Sequence, residues 1–321
     1  MQLLTSTRSR PLTGPEDFPA LVDFYQQCEG VDRLGNVTTL ESLQRSYDNP
    51  PPSGQRFRQL WETLDGQLIG VVFLWLRNSK TVQEARLSLK VHPAYRGDIL
   101  ESEMFVWAEH FIKEQTAPGN LPVLVQINTR DDLTYYRNLY TAHGFHPIRW
   151  FHDMERSLDI PIPEPQFPEG FTTRPTTVEE ADAWVEMFNQ SFVDHWNHYP
   201  MTVEDRQFRL SHHTYCPHLD WVAVAPDGTL AAFCYGNISA EDNTHKNRKD
   251  GWIFSLGTRR GFRRMGLARA MLLQGIGQLK DAGMETALLG VDAQNPNQAK
   301  ALYDSVGFGV KETHIAYEKQ L

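Results

Sequence analysis

The sequence predicts two tandem α/β domains, and three observations carry that expectation. The chain has 321 residues, more than one growing hydrophobic core usually serves. Segments with strand character alternate with segments of helical periodicity along the whole length. Landmarks also recur at similar separations: Asp65-Gly66 with Asp227-Gly228, Arg96 with Arg263, and Leu139-Tyr140 with Leu302-Tyr303. Between the halves lies Asp159 to Gly170, whose prolines favour stiff, extended chain. The expected layout is a first domain over 1–158, a linker over 159–170 and a second domain over 171–321.

An apolar fraction of 40% is enough for two cores. A net charge of −9 argues against nucleic acid as the main partner. Three irregularly spaced cysteines, Cys28, Cys216 and Cys234, suit a reducing cytoplasm. No apolar run approaches the ~18 residues of a membrane span. Residues 1–10 lack the apolar core of a secretory signal. The expectation is a soluble cytoplasmic protein, monomer or homodimer, with no membrane partner.

In the first half, Leu3 to Arg10 reads as a strand. A helix follows to about Cys28, because Phe18, Leu21, Val22 and Tyr25 recur at helical spacing. Three consecutive prolines, Pro50 to Pro52, force a loop. Phe57–Thr63 and Gln67–Leu76 read as a hairpin across Asp65-Gly66. Arg86–Val91 is a strand, followed by a turn and a helix, and VLVQIN is the next strand. Asp132–Ala142 is a helix ended by Gly144, and Phe145–Met154 closes the half.

In the second half, Phe171–Arg174 is a strand, and Thr177 with Glu180 has capping-box spacing. Ala181, Trp184, Val185, Phe188 and Phe192 form the buried stripe of the helix that follows. A second helix spans Thr202 to about His212. Trp221–Ala225 and Thr229–Ile238 pair across Asp227-Gly228. Ser239–Asp250 has no apolar residue larger than alanine and reads as an exposed loop. Gly251–Gly257 is a strand. After Gly266, Leu267, Ala270, Met271 and Ile276 follow a helical period.

That last junction is the candidate site. A helix opening at Gly266 offers backbone N–H groups without intrahelical partners at the positive end of a dipole. This arrangement holds phosphate. Glycine leaves the approach open, and Arg263 and Arg264 add positive charge.

Arg263, Gly266 and Ala268 form R-x-x-G-x-A. The strand TALLGVD, an asparagine turn and ALYDSVGF follow. This order resembles the GNAT acetyltransferase superfamily over about the last 150 residues. The resemblance implies a mixed, mostly antiparallel twisted sheet flanked by helices, and acetyl-CoA as cofactor. Its binding residues would be Leu256, Thr258, Arg263, Arg264, Met265, Gly266, Leu267, Ala268, Arg269, Asn295 and Tyr303. The catalytic groups it implies are the backbone N–H near Leu256, at the thioester carbonyl, and the Tyr303 hydroxyl, as acid to the leaving thiolate. Asn295 either orders its turn against the cofactor or caps a helix. Asp194, His195, His198 and Tyr199 would face the acceptor, and Ser255 is a further candidate base.

The first half resembles the same superfamily in a degenerate form. Arg96 keeps the motif's first position, but Ile99 replaces the glycine and Glu101 the small residue. A branched side chain and a carboxylate both oppose a phosphate, so this half is expected not to bind CoA, and Tyr140 to be a core residue. The fusion resembles tandem acetyltransferases of the mycothiol synthase type in architecture. His212, His213, Cys216 and His218 lack a second ligand pair, so no metal site is expected.

Direct acetyl transfer to a primary amine of a small molecule or peptide is the reading. A CoA-binding regulatory or scaffold protein without turnover, or an enzyme using a longer acyl-CoA, stays open.

Overall fold

The computed structural model describes residues 7–35, 37–78, 83–97, 99–116, 122–196 and 198–321. In chain order the elements are β1 (Thr7–Pro11), α1 (Phe18–Asp32), α2 (Leu40–Asp48), β2 (Gln55–Thr63), β3 (Leu68–Asn78), β4 (Gln83–Val91), α3 (Ile99–Thr116), β5 (Val123–Arg130), α4 (Thr134–Ala142) and β6 (His146–Ser157). There follow β7 (Thr172–Pro175), α5 (Ala181–Phe192), α6 (Val203–Ser211), β8 (Tyr215–Val224), β9 (Leu230–Asn237), α7 (Ala240–Lys246), β10 (Asp250–Thr258), α8 (Leu267–Asp281), β11 (Thr286–Asp292), α9 (Ala299–Asp304) and β12 (Gly309–Gln320). Residues 3–6 of the expected first strand lie outside the described residues.

The chain divides into two compact units, residues 1–149 with 314–321, and residues 150–313. The first unit has sheet order β1-β2-β3-β4-β5-β12. Only β4 and β5 run parallel; the other pairs are antiparallel. The second unit repeats this with β7-β8-β9-β10-β11-β6, where only β10 and β11 are parallel. Each parallel pair needs a crossover, which α3 and α8 provide. The division by compactness differs from the boundaries read from the sequence. Most of β6 pairs with β11 in the second unit, while His314–Gln320 pairs with β5 in the first. The proline stretch also belongs to the second unit. Buried Arg156 donates to the carbonyls of Ile160 and Pro161, and Ile162 and Phe167 pack on that unit's core.

In the first unit, strand alternation sends Trp61 toward α3 and Leu60 toward α1, so β2 serves two cores. In the second unit, α8 covers Cys234, Ile253 and Leu289 on one face of the sheet. On the other face, Trp184 and Met187 of α5 pack on Val222, Phe233 and Tyr235. Arg206, wholly buried in α6, pairs with Asp220 at 2.6 Å and lies 3.8 Å over the Trp184 ring. That ties α5 and α6 to the sheet.

Two departures from the expected elements have local causes. Residues 240–246 are helical, not a loop. The Ser239 hydroxyl caps the Asp242 N–H at 3.1 Å, acids occupy the first turn, and His245 and Lys246 the last. Helix α2, which the hydropathy pattern missed, starts in a Thr39/Ser42 capping box. Among the described residues, no helix is long and apolar enough to cross a membrane.

Candidate active site

The site begins where two parallel strands part. β10 pairs with β11 only across Asp250–Ile253 and Thr286–Leu289, although both strands continue. A bulge against β9 between Ile253 and Ser255 leaves Phe254 over, 60% exposed. Beyond it, Leu256 still opposes Cys234 of β9, but it has no strand partner on the β11 side.

The turn after β10 is anchored by the Arg259 N–H on Ala231 O, at 2.8 Å. Arg264 takes φ 64° and Gly266 φ 88°. Gly266 is the N-cap of α8; the cap has no side-chain hydrogen bond and the first turn no acid. The first backbone bond inside the helix is Ala270 N–H to Gly266 O, so the amides of Leu267, Ala268 and Arg269 have no intrahelical partner. A Cβ built on Gly266 would meet nothing within 4 Å. The turn therefore faces open space: a cavity of about 570 Å³, within the usual range for ligands.

The cavity brings together Leu256, Thr258, Arg263, Arg264, Gly266, Leu267, Ala268, Arg269, Asn295 and Tyr303. The Thr258 Oγ1 is buried without a hydrogen-bond partner. Open amides, an orphaned hydroxyl and arginines form a donor set that fits the phosphates and amides of a CoA molecule. Met265 is not among the lining residues and is 46% exposed.

Arg263 does not present a free charge. Its Nη1 donates to Asp194 Oδ2 at 2.6 Å, and its Nη2 to Ser191 O at 3.0 Å. Asp194 also pairs with Arg260. It does not line the cavity, and the bond from Arg263 holds its carboxyl below the ordinary aspartate value. The exposed Arg264 has no ion pair with a described residue, whereas Arg269 donates to Ser305 Oγ at 2.6 Å.

Of the residues expected to face the acceptor, His195 alone lines the cavity. Its Nδ1 lies 2.8 Å from Trp196 O. A carbonyl only accepts, so Nδ1 carries the hydrogen and Nε2 keeps a lone pair in the neutral ring. His198 and Tyr199 lie outside the lining; burial, then the charge of His195, holds the His198 imidazole below its usual value. Ser255 is half-buried and also outside the lining.

Tyr303 is 8% exposed, and its hydroxyl bonds to no described residue. Burial pushes its pKa up to about 12, so it keeps its proton at neutral pH. Asn295 orders its turn rather than capping α9. Its Oδ1 accepts the Asn297 N–H at 2.8 Å, and the N-cap of α9 is Gln298 at φ 55°.

Ser191, Phe192 and Phe262 line the cavity too and were missed in the sequence. One signal was present in Gly257, where a Cβ would lie 2.9 Å from Ser191 Cβ. No cysteine lines the cavity. Cys234 is buried and its thiol is pushed up to about 12. Among the described residues no group of three His, Cys, Asp or Glu could hold a metal.

The matching turn of the first unit is filled from within. Glu101 is fully buried and accepts the Gly97 N–H at 3.1 Å and the Tyr135 hydroxyl. Arg96 pairs with Asp32 at 2.9 Å beneath the Tyr135 and Tyr136 rings. Ile99 points outward and is 68% exposed. Tyr140 is packed among Phe105, Phe145 and Tyr317.

Residues 181–308 match the model of the acetyltransferase (GNAT) family. The chain is 27% identical to a mycothiol acetyltransferase of Thermobispora bispora, over 94% of both chains. It is 28% identical to that of Salinispora tropica, over 97% of this chain and 96% of the relative. A solved GCN5-related N-acetyltransferase from Sphaerobacter thermophilus superposes with a TM-score of 0.76 at 27% identity, over 98% of this chain and 95% of that one. A tandem GNAT protein from the clavulanic acid biosynthesis pathway shares the fold, with a TM-score of 0.77 at 15% identity over 98% of each. Residues 181–308 thus carry a GNAT acetyltransferase domain, and along its length the chain is similar to mycothiol acetyltransferases and shares the tandem GNAT fold.

Proposed function

We propose that the second unit transfers an acetyl group from acetyl-CoA directly to a primary amine of a small molecule, and that the first unit does not bind CoA. The observation that carries this is the α8 N-terminus, which opens without a cap on the cavity that also holds Tyr303. When bound, acetyl-CoA supplies an acetyl group activated as a thioester. The chain's own residues then bind, orient and hold protons. The amides of Leu267 to Arg269 and the Arg264 side chain bind the anionic part. The β10 edge at Leu256 offers an N–H where negative charge develops on a carbonyl oxygen. The Tyr303 hydroxyl, protonated at neutral pH, gives its proton to a leaving sulfur.

The absence of a cysteine from the cavity lining supports direct transfer over a covalent cysteine intermediate. The names of the curated relatives make a mycothiol-related small molecule the first acceptor to assay. The three free thiols support a cytoplasmic enzyme.

The test is calorimetric titration of the full chain with acetyl-CoA, followed by thiol release across an amine panel. One site should be found, and Gly266→Val should remove it while the chain stays folded. Two sites, unimpaired binding by Gly266→Val, or binding without product from any amine would overturn the reading.

A further inference from the structure

A second cavity, of about 370 Å³, lies in the first unit. β1 covers β2 only along Gln59–Thr63, and the Leu12 N–H on Arg58 O is the next bond beyond. The edge of β2 therefore has no strand partner from Phe57 back to Gln55, and α2 and α3 flank it. One wall is aromatic. Phe57 meets Phe111 edge-on at 4.8 Å, and Trp107 stacks on Phe111 at 4.9 Å.

The opposite side carries Arg56 and Arg58, two residues apart and so on one face of the strand. No carboxylate of the described residues pairs with either. The Arg58 Nε is buried with no hydrogen-bond partner, and its guanidinium lies 5.5 Å over the Phe73 ring. Burial and the neighbouring Arg58 charge both lower the pKa of Arg56. Three other arginines of the unit are neutralised: Arg10 by Asp17 and Glu62, Arg96 by Asp32, and Arg130 by Asp132. A half-buried guanidinium with an unmet donor, beside a second like charge on the same strand face, is better satisfied when an anion joins the two.

We propose that this cavity binds a small aromatic carboxylate. The ring lies against Phe57, Trp107 and Phe111, and the carboxylate is held by the forked donors of Arg56 and Arg58. Its size is within the range of small-molecule sites. The proposal is independent of the acetyl-transfer reading.

The experiment is calorimetry on the full chain with indole-3-acetate and 4-hydroxyphenylacetate, their neutral amides, and inorganic phosphate. A carboxylate should bind at least about ten-fold more tightly than its amide, as expected when a charged hydrogen bond is lost. Arg56→Gln and Arg58→Met should each weaken the carboxylate and leave acetyl-CoA binding unchanged. Arg56 is exposed, so its variant keeps the test valid if Arg58→Met fails to fold. No binding by either carboxylate, equal binding by the amides, or equal binding by phosphate alone would overturn the proposal.

Discussion

Asp194 Oδ2 lies 2.6 Å from Arg263 Nη1, so a residue just past α5 neutralises an arginine of the turn that leads into α8. Arg263 is also held by Ser191 O and Thr258 O, and should stay in place without Asp194. Asp194→Asn should therefore tighten acetyl-CoA binding by about two- to five-fold at low salt, and the gain should fade as salt screens it. Protonation has the same sign. The Arg263 bond lowers the Asp194 pKa, so wild-type affinity should gain from this source only as pH falls below the ordinary aspartate value. Calorimetry at two salt concentrations checks this; weaker binding by the variant would contradict it.

Tyr303→Phe should lower kcat by about ten- to hundred-fold, the lower part of the range for proton transfer by a positioned group, with little change in the KM for acetyl-CoA. The hydroxyl is pushed up to about 12, so Tyr303 should add no alkaline limb to the rate profile below about pH 10, its unperturbed value. Steady-state kinetics across pH decides; an unchanged kcat removes Tyr303 from the chemistry.

Gly275→Ala should destabilise the second unit by about 1–3 kcal/mol, the usual cost of overpacking. Its Cβ would fall 2.4 Å from Cys234 Sγ and 3.1 Å from Ile253 Cδ1. Adding Cys234→Ala should recover about 1 kcal/mol or more, because contacting sites couple. Urea denaturation of the four proteins measures it, and strict additivity would refute the contact.

Acid should act on the first unit through Asp17. Arg10 first, with Thr13, holds its carboxyl down at about 2, from an ordinary 3.8. A depressed folded pKa adds stability that is fully present above the unfolded value and lost as pH falls toward the folded one. The loss should run from about pH 4 to about pH 2, and Asp17→Asn should flatten that limb. Equal acid limbs in both proteins would rule it out.

Much of the candidate site's local layout was legible before any fold was known. R-x-x-G-x-A marked the turn because only glycine takes φ 88° at no steric cost. Glu101 was readable as the group that closes the first turn, since an acid at a helix start complements the dipole. The engagement of Arg263 by Asp194 was not legible, because the partners stand 69 positions apart. Nor was the polar helix α7, where the Ser239 cap outweighed the missing apolar stripe.

Local chemistry written along the chain determined the strands, the principal helices, the repeat and the glycine turn that opens α8, since periodicity, caps and glycine act over a few residues. Tertiary structure decided which strands pair, that His314–Gln320 joins β5 and residues 151–157 join β11, and which candidate side chains meet in one cavity. Those outcomes depend on register and burial between distant segments, which no short stretch of sequence encodes.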